Sequence, residues 1–229
     1  MPIVLANQLT KIYREKDAVP VHALDSVSLE IEPGEFTALV GPSGSGKTTL
    51  LNIIGGLDTP TEGSVEVDGK NLGTLNKREL AAFRLHHLGF VFQAYNLVPV
   101  LTAEENVAFT LLLRGVDKQK RQNMVRDELE ALGIEKELHR RRPHKLSGGQ
   151  QQRVAVARAT VGEPKLILAD EPTANLDSTT GKRLLDKMKS MNEQKGITFI
   201  FSTHDPLVME RANRIVHLRD GKIIEDKRP

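Results

Sequence analysis

Eight residues, GPSGSGKT from Gly41 to Thr48, constrain this chain more than any other stretch. They fill every fixed position of the phosphate-loop pattern G-x-x-x-x-G-K-[ST]. That pattern works only between a strand and a helix, because the helix N-terminus supplies free N–H groups and the positive end of the helix dipole. The sequence supplies both flanks. FTALV, 36–40, is a short apolar run of the buried-strand kind, and a helix is predicted over 47–55. Gly41, Gly44 and Gly46 let the backbone wrap closely around phosphate oxygens. Pro42, Ser43, Ser45 and Thr49 complete the expected nucleotide-contacting set. Lys47 is expected to place its charge on the β- and γ-phosphates, and Thr48 to ligate Mg²⁺.

The rest of the chain repeats this strand-then-helix grammar. LGFVFQ, KLILADE and GITFIFSTHD read as short buried strands, with helical patterns at about 77–86, 151–162 and 179–194. Such alternation predicts an α/β fold with a mainly parallel sheet covered on both faces, a phosphate-loop NTPase core. Val27, Leu29 and Ile31 alternate with Ser28 and Glu30, and GSVEVDGKNL reads as a strand and turn. These early strands predict an added N-terminal antiparallel β-subdomain. Residues 94–146 are strand-poor. Thr102 and Glu105 have capping-box spacing, and Val125, Leu129 and Leu132 recur at i, i+4 and i+7. We expect one domain over 1–229 with an α-helical subdomain inserted at about 94–146.

KLILADE ends in Asp170 and Glu171. A carboxylate at the C-terminal end of a parallel strand faces the ligand crevice. Asp170 fits the Mg²⁺-holding carboxylate of a phosphate-loop ATPase, and Glu171 the general base for the attacking water. Gln93 and His204 also follow apolar strands; alone each is a polar strand end, and in this context Gln93 is a candidate Mg²⁺ and water ligand. LSGGQ, Leu146–Gln150, is a second glycine-rich turn feeding a helix, with no lysine of its own.

The set GPSGSGKT, FQ, LSGGQ, LILADEPTANLD and STHD, in that order, resembles the nucleotide-binding subunit of ABC transporters across nearly the whole chain. The resemblance implies that Gln93 is the Q-loop glutamine and that Ser147, Gly148, Gly149 and Gln150 belong to the signature. It implies that Asp170 and Glu171 close the Walker B strand, that Asp177 closes the D-loop, and that His204 is the switch histidine. Tyr13 matches the aromatic that stacks on adenine. The D-loop begins Ala174-Asn175 where many relatives have Ser-Ala. In this family two cassettes pair head to tail, which answers why one chain carries two phosphate cradles: Ser147 and Gly149 of one copy would touch the γ-phosphate held by Lys47 of the other. The wording LLNIIGGLDTPTEGSVEVDGK and GFVFQAYNLVPVLTAEENV is similar to the lipoprotein-releasing and macrolide-exporting group, the LolD and MacB branch.

The implied activity is ATP hydrolysis, with ATP and Mg²⁺ as ligands, driving an integral membrane permease. Alternatives are an FtsE-like ATPase signalling through a membrane partner without transport, and a soluble ABC ATPase acting on DNA or ribosomes. The last fits poorly. Net charge is only +2, from 32 basic and 30 acidic residues, and no long heptad block separates Lys47 from Ser147. No nucleic acid partner is expected. Cysteine is absent, which excludes thiolate chemistry and Cys-ligated zinc. No window approaches a membrane span, the N-terminus lacks the basic region of a signal peptide, and no C-terminal regulatory domain is expected. The expected location is cytoplasmic, peripheral on the cytoplasmic face of the inner membrane. Tyr95, Leu97, Val98, Val100 and Leu101 crowd a loop beside Gln93, and 94–109 is expected to dock the membrane partner.

Overall fold

The computed structural model of the chain describes residues 1–14 and 19–228. Its framework is a six-stranded sheet among the described residues, ordered β10-β9-β3-β8-β7-β6. The strands are β3 (Phe36–Val40), β6 (Leu88–Val91), β7 (Leu166–Asp170), β8 (Thr198–Thr203), β9 (Arg214–Arg219) and β10 (Lys222–Lys227). From β6 to β9 every neighbouring pair is parallel, and β10 closes the edge as an antiparallel hairpin with β9. That hairpin turns on Asp220-Gly221, both at positive φ, as a two-residue primed turn requires.

A second, antiparallel sheet is ordered β2-β1-β4-β5, from β1 (Val4–Tyr13), β2 (Val21–Ile31), β4 (Glu62–Val67) and β5 (Lys70–Asn71). The two sheets share a core. Along β3, Phe36, Ala38 and Val40 point into one cluster while Leu39 points into the other, the two-residue period of a strand buried on both faces. Leu39 shares one buried cluster with Val4, Leu9, Leu24 and Ile31 of the antiparallel sheet and with Leu50 and Ile53 of α1 (Lys47–Ile54). The opposite face packs on helices, including α6 (Gly148–Thr160) and α7 (Ser178–Lys195). The expected α/β architecture, with its mainly parallel sheet and N-terminal antiparallel sheet, is therefore what the chain adopts.

Between Ala94 and Leu146 the described residues form helices and no strand. α3 (Ala103–Leu113) starts at Thr102, whose side chain accepts from Glu105 N–H while Glu105 accepts from Thr102 N–H. α4 (Lys118–Ala131) starts on Asp117 and buries Val125 and Leu129, with Leu132 just beyond its end; α5 (Lys136–His139) follows. α2 (Lys77–His87) lies on the other side of the sheet edge, capped by Asn76 and Glu79. The short α8 (Pro206–Met209) follows β8 and is capped by Asp205. Among the described residues no helix is long and apolar enough to cross a membrane.

One expectation is corrected. The signature helix begins at Gly148, three residues before the predicted 151, because Ser147 and Gln150 form a reciprocal capping box. In the loop after Gln93, Tyr95, Leu97 and Leu101 are half-buried, and Leu97 packs against the core. Val98 and Val100 stay exposed, Val100 at 68%.

Candidate functional site

The parallel register decides which loops meet. Val40 pairs with Thr203, and Ser202 pairs with Asp170, so β3, β8 and β7 end side by side. The phosphate loop, His204 and Glu171 therefore leave one edge of the sheet together. They line a cleft of about 460 Å³ with Tyr13, Thr48, Thr49, Gln93 and Asp170.

At its floor, α1 begins on Gly46 at φ 102°, a conformation that disfavours any side chain. A Cβ there would also meet the Ala23 carbonyl oxygen at 2.4 Å. No side chain caps this helix and no acidic residue sits in its first turn. Its leading N–H groups are left for an anion. Lys47 as a residue is 8% exposed, and its ammonium donates to the carbonyls of Gly41 at 2.7 Å and Pro42 at 3.0 Å. Among the described residues it forms no ion pair, so the cradle carries unneutralised positive charge, which fits a polyphosphate. The buried Ser45 hydroxyl has no hydrogen-bond partner among the described residues.

Thr48 Oγ1 lies 3.2 and 3.1 Å from the two Asp170 carboxylate oxygens. With Gln93 lining the same cleft, this is a hard oxygen set of the kind Mg²⁺ prefers. Among the described residues no three His, Asp or Glu side chains form a ready-made metal cage. That fits a cation which takes its remaining ligands from phosphate and water.

Glu171 sits at φ 45°, a left-handed conformation held by its N–H bond to the Ser202 carbonyl at 2.8 Å. Such strain in a non-glycine residue persists where its surroundings over-determine it. The effect is to turn the carboxylate back toward Thr203 and His204. Thr203 Oγ1 donates to Oε2 at 3.1 Å, and His204 Nδ1 lies 2.6 Å from Oε1. The Glu171 side chain is 14% exposed and that of His204 78%, so the carboxylate is sheltered while the imidazole stands at the open side of the cleft.

Tyr13, at the end of β1, is 40% exposed. Its hydroxyl donates to Asp58 Oδ2 at 2.7 Å. Burial and that carboxylate raise the phenol above its ordinary pKa, so it stays a donor. Burial opposes the charge on Asp58, yet hydrogen bonds from Lys11, Tyr13 and the Thr59 N–H hold its carboxyl below the ordinary range.

Leu146 to Gln150 are not among the residues lining this cleft. Ser147 is exposed and Gly148 and Gly149 are half-exposed at the start of α6. Asp177 caps α7 by accepting from Thr180 N–H at 3.0 Å. The structure thus groups Tyr13, the phosphate loop, Gln93, Asp170, Glu171 and His204, and leaves Ser147, Gly148, Gly149, Gln150 and Asp177 outside that group.

Sequence reasoning passed over Thr203, Asp58 and Lys11 as participants. Thr203 and Asp58 bind Glu171 and Tyr13 through contacts far apart in sequence, and Lys11 joins Asp58. Asn175, which the resemblance places in the D-loop, donates from its amide to the Gln93 carbonyl at 3.0 Å, tying the D-loop to the Q-loop. Lys11, two residues before Tyr13, and Thr203, inside STHD beside His204, offered a local signal; Asp58 offered none.

Comparison with known proteins agrees with the motif reading. A family model described as ABC transporter matches residues 24–174. The ABC transporter ATP-binding protein MJ1508 of Methanocaldococcus jannaschii is 45% identical over 97% of this chain and 98% of its own length. The macrolide export ATP-binding/permease protein MacB of Brucella melitensis is 44% identical over 98% of this chain, which spans 34% of that longer protein. Among solved structures, the dimeric post-hydrolysis state of the M. jannaschii cassette MJ0796 with ADP and Pi superposes with a TM-score of 0.93, at 42% identity and covering 98% of both chains.

Proposed function

The chain belongs to the ABC transporter family as an ATP-binding subunit, and from that premise we propose that it hydrolyses ATP at a site completed by a second copy of itself. One observation carries this reading. The cleft holding Lys47, Asp170 and Glu171 lacks the signature, and the signature's helix N-terminus is exposed on another part of the same chain. Two half-sites that cannot meet within one chain meet when two chains pair head to tail. MJ0796, so similar in fold, is described as dimeric and bound to ADP and Pi.

In the proposed arrangement Lys47 and the first turn of α1 hold the β- and γ-phosphates. Thr48, Asp170 and Gln93 would hold Mg²⁺, which supplies charge neutralisation on the phosphate oxygens. Glu171 accepts the proton of the water that attacks the γ-phosphorus, and the bond to the ADP oxygen breaks. His204 leaves Glu171 to donate toward the γ-phosphate. Ser147, Gly149 and the α6 N-terminus of the partner copy face that phosphate from the other side, and Asp177 lies at the same junction. Phosphate release removes the contact and the pair reopens.

The driven partner in this reading is an integral membrane permease of the lipoprotein-releasing or macrolide-exporting type, which the likeness to MacB supports. The cassette would then work peripherally at the cytoplasmic face of the membrane. Its docking groove is a cleft of about 360 Å³ beside Phe92 and Asn96, with Leu57 and Leu113 on its rims. Leu57 is 47% and Leu113 57% exposed, while Leu97 is partly buried against the core. The proposed surface therefore reaches beyond 94–109 to Leu57 and Leu113. Leu57→Asp with Leu113→Asp is expected to leave the chain folded, with an unchanged melting temperature. Association with the membrane protein that copurifies with the wild type should weaken by at least ~30-fold, the loss of a binding hot spot. Normal copurification of the folded double variant would place docking elsewhere.

A further inference from the structure

Tyr13 is held by residues that no motif includes. Lys11 Nζ stands 4.8 Å from the ring centroid, over one face. The same ammonium donates to Asp58 Oδ1 at 2.6 Å and to the Thr59 carbonyl at 2.7 Å. Asp58 also accepts the Tyr13 hydroxyl and the Thr59 N–H, the latter at 2.7 Å. The Lys11 and Asp58 side chains are only 12% and 25% exposed, so this is a partly sheltered cluster, not a solvated surface pair.

Its position matters as much as its bonds. Asp58 lies just past the end of α1, anchored where the Leu57 N–H donates to the Asn52 carbonyl at 2.8 Å. α1 is the helix whose first turn carries Lys47 and Thr48. The Asp58 carboxylate therefore ties the Tyr13 ring to the same rigid helix that forms the phosphate cradle, and Tyr13 lines the same cleft as Lys47. A half-exposed tyrosine would otherwise sample several rotamers, and a bound ligand would have to order it. Lys11 covers one ring face by a cation–π contact and leaves the other for a flat group.

We propose that Asp58 and Lys11 are positioning residues that pre-orient Tyr13 as a one-sided stacking platform for the purine base of the nucleotide. The proposal rests on the reading of the cleft as the ATP site. It separates two parts of nucleotide affinity: the base part depends on Asp58 and Lys11, and the phosphate part does not.

Calorimetric titration of the full chain with AMP-PNP and with inorganic tripolyphosphate, both with Mg²⁺, tests this. Tyr13→Ala is expected to weaken AMP-PNP about tenfold, a typical loss of base stacking, and to leave tripolyphosphate unchanged. Asp58→Asn, Lys11→Met and Tyr13→Phe are each expected to weaken AMP-PNP about threefold with tripolyphosphate again unchanged, since each frees a rotamer that binding must then order. Asp58→Asn placed on Tyr13→Ala should cost nothing further. Tyr13→Phe leaves both charged residues in place, so it reports even if Asp58→Asn disturbs the fold. An Asp58→Asn loss equal for both ligands, or undiminished without Tyr13, would overturn the positioning role. Full AMP-PNP affinity in Tyr13→Ala would overturn the stacking role itself, and a wild-type chain that binds neither ligand would overturn the reading of the cleft beneath it.

Discussion

Glu171→Gln is expected to bind ATP as tightly as the wild type and to turn it over ~10²–10⁴-fold more slowly, the usual loss when a general base is removed. The change is nearly isosteric. An amide oxygen still accepts from Thr203 Oγ1 or from His204 Nδ1, which now bond separate carboxylate oxygens at 3.1 and 2.6 Å. The backbone at φ 45° is held by the bond from the residue's own N–H to Ser202, and no side-chain change at 171 touches it. What disappears is an anion that can take a proton. Steady-state phosphate release and ATP titration on the same preparation check both halves. Wild-type turnover would remove Glu171 from the chemistry, and lost ATP binding would show that the carboxylate supports the cleft instead.

Lys47→Ala should act at the earlier step, on binding. The residue is buried and the ammonium's observed partners are carbonyls, so a polyphosphate gains a charge-assisted hydrogen bond without displacing a carboxylate. Bonds of that kind contribute about 1.5–3 kcal/mol, or roughly 10- to 150-fold in affinity. The loop loses its two internal bonds to Gly41 and Pro42 as well, which adds in the same direction. Titration with a labelled ATP analogue reads the effect. The contrast with Glu171→Gln is the useful part: one variant loses binding and keeps its base, the other keeps binding and loses its base. An unchanged dissociation constant in Lys47→Ala would mean that the loop does not hold phosphate as argued.

What could be read from the chain alone followed the range of the interactions. GPSGSGKT is contiguous, and its local geometry forces strand, loop and helix together, so the core of the cleft was legible. The helix over 77–86 was read to within a residue of α2 because its caps are local too. β1 was passed over. Its register shifts between Ala6 and Leu9 and again near Lys11, and Gln8 has φ 46°, so the apolar period that marks a strand is broken. The β9-β10 hairpin was also passed over, although RIVHLR and the Asp-Gly turn carried its signal. At Ser147 a capping box was read as part of a binding motif, and the helix was started late. It is both: the cap organises the N-terminus that the proposed partner phosphate would meet. Contacts such as Tyr13 with Asp58, 45 residues apart, leave no local trace in the chain.

The central claim is that a complete ATP site needs two copies of this chain. Light scattering of Glu171→Gln with and without MgATP tests it most directly, because slow turnover preserves the paired state. The account predicts a mass near the 25.4 kDa of one chain without nucleotide and twice that with MgATP. It also predicts that adding Ser147→Arg, which crowds the exposed end of α6 without altering the Lys47 cleft, returns the mass to that of one chain although ATP still binds. A mass that ignores nucleotide, as monomer or as dimer, would contradict a site shared between the phosphate loop of one copy and the signature of the other.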